Sequence, residues 1–126
     1  MKRSIYHSDR APKAIGPYSQ AVGIGGTVYI SGQIATDPAT GQLVTGGFEA
    51  QARRAFDNLK AVAEASGSSL AAAVRVTVYL TDLAEFPTAN QVMAEYFGEP
   101  YPARVTIGVA ALPRGGAIEV DCILVP

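Results

Sequence analysis

Two segments of this chain carry a charge where a strand would normally exclude one. Pro102-Ala103-Arg104-Val105-Thr106 reads as the opening of a β-strand with Arg104 as its only charged residue, and Gly116-Ala117-Ile118-Glu119-Val120-Asp121 reads as the start of a closing strand with Glu119 between Ile118 and Val120. An unpaired ion in a buried strand is costly, so charges kept in such places suggest a use. A guanidinium offers a planar fork that matches a carboxylate bidentately, which suits an amino-acid-like or keto-acid-like substrate. A carboxylate in a partly apolar setting has a raised pKa and can exchange protons near neutrality. The pair therefore suggests a site for an anionic substrate with an acid/base group nearby. Residue types alone leave three alternatives open: an ion pair between strands, an arginine that snorkels to solvent at its strand end, and a glutamate on a solvent-facing side. Asp121, two residues on and on the same face as Glu119, favours the last.

Weaker candidates surround this pair. Gly16-Pro17-Tyr18-Ser19-Gln20 is a turn with an aromatic hydroxyl at Tyr18, able to line a pocket or simply to anchor the turn. Ser31-Gly32-Gln33 ends a strand with glycine, which lets a ligand approach the backbone amide; a plain bulge or strand end explains it equally well. Asn90 lies beside the apolar stripe of a helical segment, where it could orient a neighbour or face water. His7 has no serine or cysteine partner signal, and Cys122 alternates with apolar residues as a small buried hydrophobe. Gly23-Ile24-Gly25-Gly26 is not a dinucleotide fingerprint, because no helix opens after it.

The elements that must position these residues follow from periodicity and turn chemistry. Residues 1–18 read as irregular, with Pro12 and Pro17 limiting helix. Gln20–Gly25 and Thr27–Gly32 read as two strands joined at Gly25-Gly26, and Asp37-Pro38-Ala39-Thr40-Gly41 reads as a turn. From Phe48 to about Ser66, Ala52, Ala55, Phe56, Leu59, Val62 and Ala63 form one helical apolar face, and Gly67 ends it. Val74, Val76, Val78 and Leu80 alternate with Arg75, Thr77 and Tyr79 as a strand. Phe86 to Phe97 returns to helical spacing, and Val105–Ala110 and Ala117–Val125 close the chain as strands. The order β-β-(β)-α-β-α-β-β predicts a two-layer α+β domain over residues 1–126, a mixed six-stranded sheet against two helices with right-handed parallel crossovers.

Composition bounds the rest. The chain has 126 residues, 48% hydrophobic and only 17% charged, and a surface short of charge is often covered by a partner, so a homo-oligomer is expected. A net charge of −1 argues against a dedicated nucleic-acid binder. One cysteine and one histidine argue against a disulfide and against a zinc site. The N-terminus lacks the apolar run of a secretion signal and no apolar stretch approaches a membrane span, so a cytoplasmic, membrane-free protein is expected.

The same residues resemble the RidA/YjgF family of enamine/imine deaminases, over nearly the whole length. The matching blocks run from Ala14-Ile15-Gly16-Pro17-Tyr18-Ser19-Gln20-Ala21 through Ser31-Gly32-Gln33-Ile34, with Asp37-Pro38 and Gly41, to Asn58-Leu59-Lys60-Ala61-Val62. They continue in Asp82-Leu83 with Phe86 and Asn90, in Tyr101-Pro102-Ala103-Arg104, and in Leu112-Pro113 followed by Glu119. The resemblance implies a chorismate-mutase-like fold in a homotrimer whose sheets face inward, with clefts between subunits. It implies that Arg104 holds a substrate carboxylate, that Glu119 activates water, and that Tyr18, Ser31, Gly32 and Asn90 line the cleft. The implied substrates are 2-aminoacrylate and the related 2-imino acids released by pyridoxal-phosphate dehydratases, hydrolysed to 2-keto acids and ammonia without metal or cofactor.

Two departures bear on the pocket. Where the family's best-studied deaminases carry Ser-Cys or similar after the arginine, this chain has Val105-Thr106, so Thr106 keeps a hydroxyl but lacks a thiol. The connection Gly98-Glu99-Pro100 is also shorter than in many members. Competing functions are a non-catalytic protein that binds a small carboxylate in the same cleft, an RNA-cleaving or translation-inhibiting protein, and, by fold analogy alone, a chorismate mutase.

Overall fold

The computed structural model describes all 126 residues. Its strands are β1 (Ser4–Tyr6), β2 (Ala21–Ile24), β3 (Thr27–Gln33), β4 (Ala73–Leu80), β5 (Ala103–Gly108) and β6 (Ile118–Leu124); the helices are α1 (Phe48–Ala65) and α2 (Phe86–Met93). The six strands form one mixed sheet in the order β1-β2-β3-β6-β4-β5. Only β4 and β5 pair in parallel, joined through α2; the other neighbours are antiparallel. Both helices lie on one face, which gives the two-layer α+β arrangement.

Local chemistry explains most boundaries. Gly25 and Gly26, at φ 57° and 80°, close β2 onto β3 in a two-residue hairpin whose left-handed backbone matches the strand twist. Asp37 holds its turn through its carbonyl, which accepts from Gly41 N at 2.8 Å, and through its carboxylate, which accepts from Ala39 N at 2.8 Å. Gly67, at φ 84°, follows the end of α1.

The core lies between α1 and the sheet. Phe56, Leu59 and Val62 on α1 pack with Val76, Val78 and Leu80 on β4 and Ile118, Val120 and Leu124 on β6, all essentially inaccessible to solvent. Phe56 stacks on Tyr96 with centroids 5.4 Å apart and meets Phe97 edge-on at 6.1 Å, so the segment after α2 is held to α1 by aromatic contact. The Tyr96 hydroxyl adds a hydrogen bond to Asp57 Oδ1 at 2.7 Å.

Four expectations are corrected. Ser4–Tyr6 is an edge strand antiparallel to β2, not irregular: a three-residue strand carries too little periodicity to be read, and pairing supplies its order. The bracketed strand expected before the first helix is only an isolated bridge between Thr36 and Leu43, so the sixth strand comes from the N-terminus. Helix α2 ends at Met93 rather than Phe97, its apolar spacing carried on by turns through Phe97. Val74 is also exposed despite its place in the β4 alternation, because the register shifts between Ala73 and Arg75.

The face away from the helices has no cover within the chain. Tyr29, Tyr79, Val105, Ile107 and Ile123 share it with Glu119 and Asp121, and Tyr29 and Ile107 are exposed. No helix is long and apolar enough to cross a membrane.

Candidate functional site

The predicted site residues fall into two groups on opposite faces of the sheet. Glu119 leaves β6 on the open face, while its neighbours Ile118 and Val120 enter the core. Arg104 is aligned with the inward-pointing Val76 and so leaves the edge strand β5 on the helix side. The register places Glu119 beside Tyr79 and Arg104 beside Val76, two strands apart. That is roughly 10 Å across the strands and roughly 10 Å along them, before the two side chains diverge. A structural ion pair between them within one chain is therefore excluded.

On the helix side, Arg104 has been given a fixed direction. Its Nη1 donates to Asn90 Oδ1, its guanidinium carbon lies 5.2 Å from the centre of the Phe86 ring, and Met93 Sδ is 3.9 Å from Nη1. Phe86, Asn90 and Met93 all come from α2, so this helix serves as the bed for the arginine. No carboxylate lies within salt-bridge distance of Arg104, and the residue is exposed, leaving most of its donors free. Thr106, two residues on, leaves β5 on the same side and is half-buried. Arg104 and Asn90 line a cavity of about 320 Å³ with Tyr101 and Phe97.

On the other side, Glu119 borders a larger cavity of about 700 Å³ together with Tyr18 and Gly32. A bulge in β3 makes room for the carboxylate: Ile30 pairs with Cys122 and Gln33 with Val120, so β3 carries one more residue than β6 across Ser31-Gly32. A Cβ placed on Gly32 would stand 2.1 Å from Glu119 Oε2, so a side chain there would push the carboxylate out of this position. Ser31 donates its hydroxyl to Ser19 O at 2.6 Å and its amide to Gln20 O at 2.9 Å, which pins the Tyr18 turn to the bulge. Tyr18 itself is half exposed and has its ring on the cavity wall.

Burial, and secondarily the Asp121 carboxylate on the same face, push the Glu119 carboxyl above its ordinary value. Asp121 is engaged instead by the Tyr79 hydroxyl at 3.0 Å. Glu119 has no hydrogen-bond or ion-pair partner in the chain, and an unpaired, half-buried carboxylate with a raised pKa has the character of a proton acceptor waiting for a substrate or water. Cys122 lies on the core side, its thiol pushed to about 12 by burial, and takes no part. His7 is exposed beside Asp9 at 2.9 Å, and no group of three or more His, Cys, Asp or Glu side chains stands together as a metal site.

Two buried polar residues that shape the larger cavity were not singled out from sequence. Gln20 accepts from Ser8 N at 2.6 Å and donates to Ser8 O and Pro12 O, tying the N-terminal segment beneath Tyr18. Asn58, fully buried on α1, donates to Ile34 O at 3.0 Å and Thr36 O at 2.9 Å and so holds the chain leaving β3. The available signal was an asparagine inside the α1 apolar stripe, between Ala55 and Leu59.

The family model described as "Endoribonuclease L-PSP" matches residues 8–125. The chain belongs to this family, the RidA/YjgF family. Among curated RidA/YjgF relatives, it is 52% identical to "Protein DfrA" of Myxococcus xanthus, over 99% of this chain and 97% of that one. It is 46% identical to a "2-iminobutanoate/2-iminopropanoate deaminase" of Dermatophagoides farinae, over 98% of this chain and 96% of that one. Among solved RidA/YjgF structures, a putative endoribonuclease from Thermotoga maritima superposes with a TM-score of 0.96 at 48% identity, covering 100% and 98% of the two chains. The structure of E. coli TdcF with bound serine superposes with a TM-score of 0.91 at 38% identity, covering 98% of each.

Proposed function

We propose that this RidA/YjgF protein is a hydrolytic deaminase of 2-imino acids and their enamine tautomers, with its sites completed between subunits of a homotrimer. The observation that carries this reading is the division of the site: an oriented arginine with free donors on one face, and a half-buried carboxylate with no partner in the chain on the other. Neither half can do the chemistry alone. A chorismate-mutase-like trimer with its sheets turned inward covers the open face bearing Tyr29 and Ile107 and lets Arg104 of one copy reach the Glu119 cavity of the next. Relatives named as 2-iminobutanoate/2-iminopropanoate deaminases support the reaction, and the serine in TdcF supports a ligand with an α-carboxylate.

The reaction needs little apparatus. Arg104 grips the α-carboxylate bidentately and fixes the imine carbon, with Asn90 and Phe86 holding the guanidinium in place. Glu119 takes a proton from water as the oxygen adds to that carbon and passes it to the imine nitrogen, giving a neutral carbinolamine. Glu119 then takes the carbinolamine hydroxyl proton as the C=O bond forms and delivers it to nitrogen, so that ammonia leaves and a 2-keto acid remains. The Gly32 amide and the hydroxyls of Tyr18 and Thr106 are the groups at hand for the substrate's remaining polar atoms, the Ser31 hydroxyl being spent on Ser19 O. Neither a metal nor a cofactor enters these steps. A cytoplasmic role beside pyridoxal-phosphate dehydratases, clearing the reactive imines they release, fits the single buried cysteine.

The test adds purified protein to a threonine dehydratase reaction and follows keto-acid appearance. The rate should rise above spontaneous hydrolysis, and Arg104→Ala should lower the gain in kcat/KM by roughly a hundredfold, as loss of a charge-assisted pair implies. Tight binding of 2-ketobutyrate with no acceleration would instead favour a carboxylate-binding protein. An RNA substrate is opposed by the net charge of −1.

A further inference from the structure

The Glu119 cavity is far larger than a three- or four-carbon imino acid, and its polar wall does not end at Glu119. Besides Tyr18, Gly32 and Glu119 it is bordered by Thr40, Lys13 and Arg114. Lys13 and Arg114 are exposed cations with no carboxylate within salt-bridge distance. In a chain whose acids and bases nearly balance, two unpaired cations on one cavity wall are available to a ligand.

Arg114 is also held there at a cost. It is the one non-glycine residue with positive φ, at 59°, in the loop Leu112-Pro113-Arg114-Gly115-Gly116 that leads into β6. A long side chain in the left-handed region carries backbone strain that glycine would avoid. The guanidinium crosses to the Asp37 turn, where Nη1 donates to Gly41 O. That contact uses one of five donors and fixes the fork at the mouth of the cavity, with the others unspent.

Resting on the deaminase reading above, we infer that Arg114, assisted by Lys13, is a second anion anchor that extends the substrate range to 2-imino acids carrying a distal carboxylate, such as the imines of acidic amino acids. Arg104 of the neighbouring subunit takes the α-carboxylate, Glu119 faces the imine carbon, and Arg114 takes the side-chain carboxylate at the cavity mouth. The chemistry at carbon is unchanged; only the length and charge of the accepted side chain differ.

Two measurements separate this inference from the activity on which it rests. Calorimetric titration with the stable products 2-oxoglutarate and 2-oxobutanoate reads the anchor without turnover. Arg114→Gly removes the fork and relieves the backbone, so the variant should fold at least as well as the parent. Its Kd ratio should shift against 2-oxoglutarate by roughly five- to tenfold, the scale of one partly exposed charge pair, and Lys13→Gln should shift it the same way by less. The kcat/KM ratio for imines generated in situ by an amino-acid oxidase from glutamate and from alanine should move in parallel. A parent that does not bind 2-oxoglutarate, or an Arg114→Gly ratio equal to the parent's, overturns the second anchor even if imines are hydrolysed. Absence of all turnover with the binding shift intact would overturn the deaminase reading and leave the anchor standing.

Discussion

At the scale of single residues, the site depends on how two charges are kept ready. Arg104 is exposed, and an exposed arginine would ordinarily sample many rotamers; the bond to Asn90 and the Phe86 ring restrict it. Asn90→Ala should therefore raise KM by roughly five- to tenfold with kcat nearly unchanged, the signature of weakened carboxylate binding. Steady-state kinetics on one imine would show it, and an equal fall in kcat would contradict the positioning role. Glu119 is tuned by burial first and Asp121 second. Because its folded-state pKa is raised, kcat/KM should fall with decreasing pH through a limb above the ordinary carboxylate value, and Asp121→Asn should move that limb downwards. Stability runs the opposite way: the ionised form is the disfavoured one, so its cost is absent below the unfolded-state pKa and complete above the folded-state pKa. A pH–rate profile whose acid limb does not move in Asp121→Asn would remove Asp121 from the tuning of Glu119.

At the scale of elements, the bulge in β3 is the device that gives Glu119 its room. Gly32 has no positive φ, so alanine is tolerated by the backbone, yet its Cβ would land on the carboxylate. Gly32→Ala should keep the melting temperature within a few degrees and lower kcat by on the order of a hundredfold, the effect of misplacing a reacting group by about an ångström. A fully active Gly32→Ala enzyme would mean that Glu119 does not act from this position. The sequence made the two strands, their turn and the glycine legible, because alternation and turn chemistry are local properties. It did not reveal why glycine is there, since that depends on Glu119 arriving from a distant strand, β6, whose pairing with β3 is not a local property. β1 and the Asn58 bonds escaped for the same reason: three residues hold no period, and a buried amide's partners are fixed by packing. The alternation in β6 did put Glu119 and Asp121 on one face, whereas the face taken by Arg104 follows only from the parallel register of β5 on β4.

At the scale of the whole molecule, the sheet separates what the reaction must join. One chain places Arg104 on the helix side and Glu119 on the open side, and leaves Tyr29 and Ile107 uncovered. In the proposed trimer a second copy would supply both, so assembly and activity should be inseparable. The direct measurement is complementation between two inactive variants, Arg104→Ala and Glu119→Gln. Each should be inactive alone, and neither change touches the α1 core. If every site takes Glu119 from one subunit and Arg104 from its neighbour, random mixed trimers at equal proportions rebuild an intact site at about one interface in four. Subunits refolded or co-expressed together should thus recover about a quarter of the wild-type deaminase rate. No recovery, from mixed oligomers verified by mass, would place Arg104 and Glu119 in the same subunit's site and contradict the account.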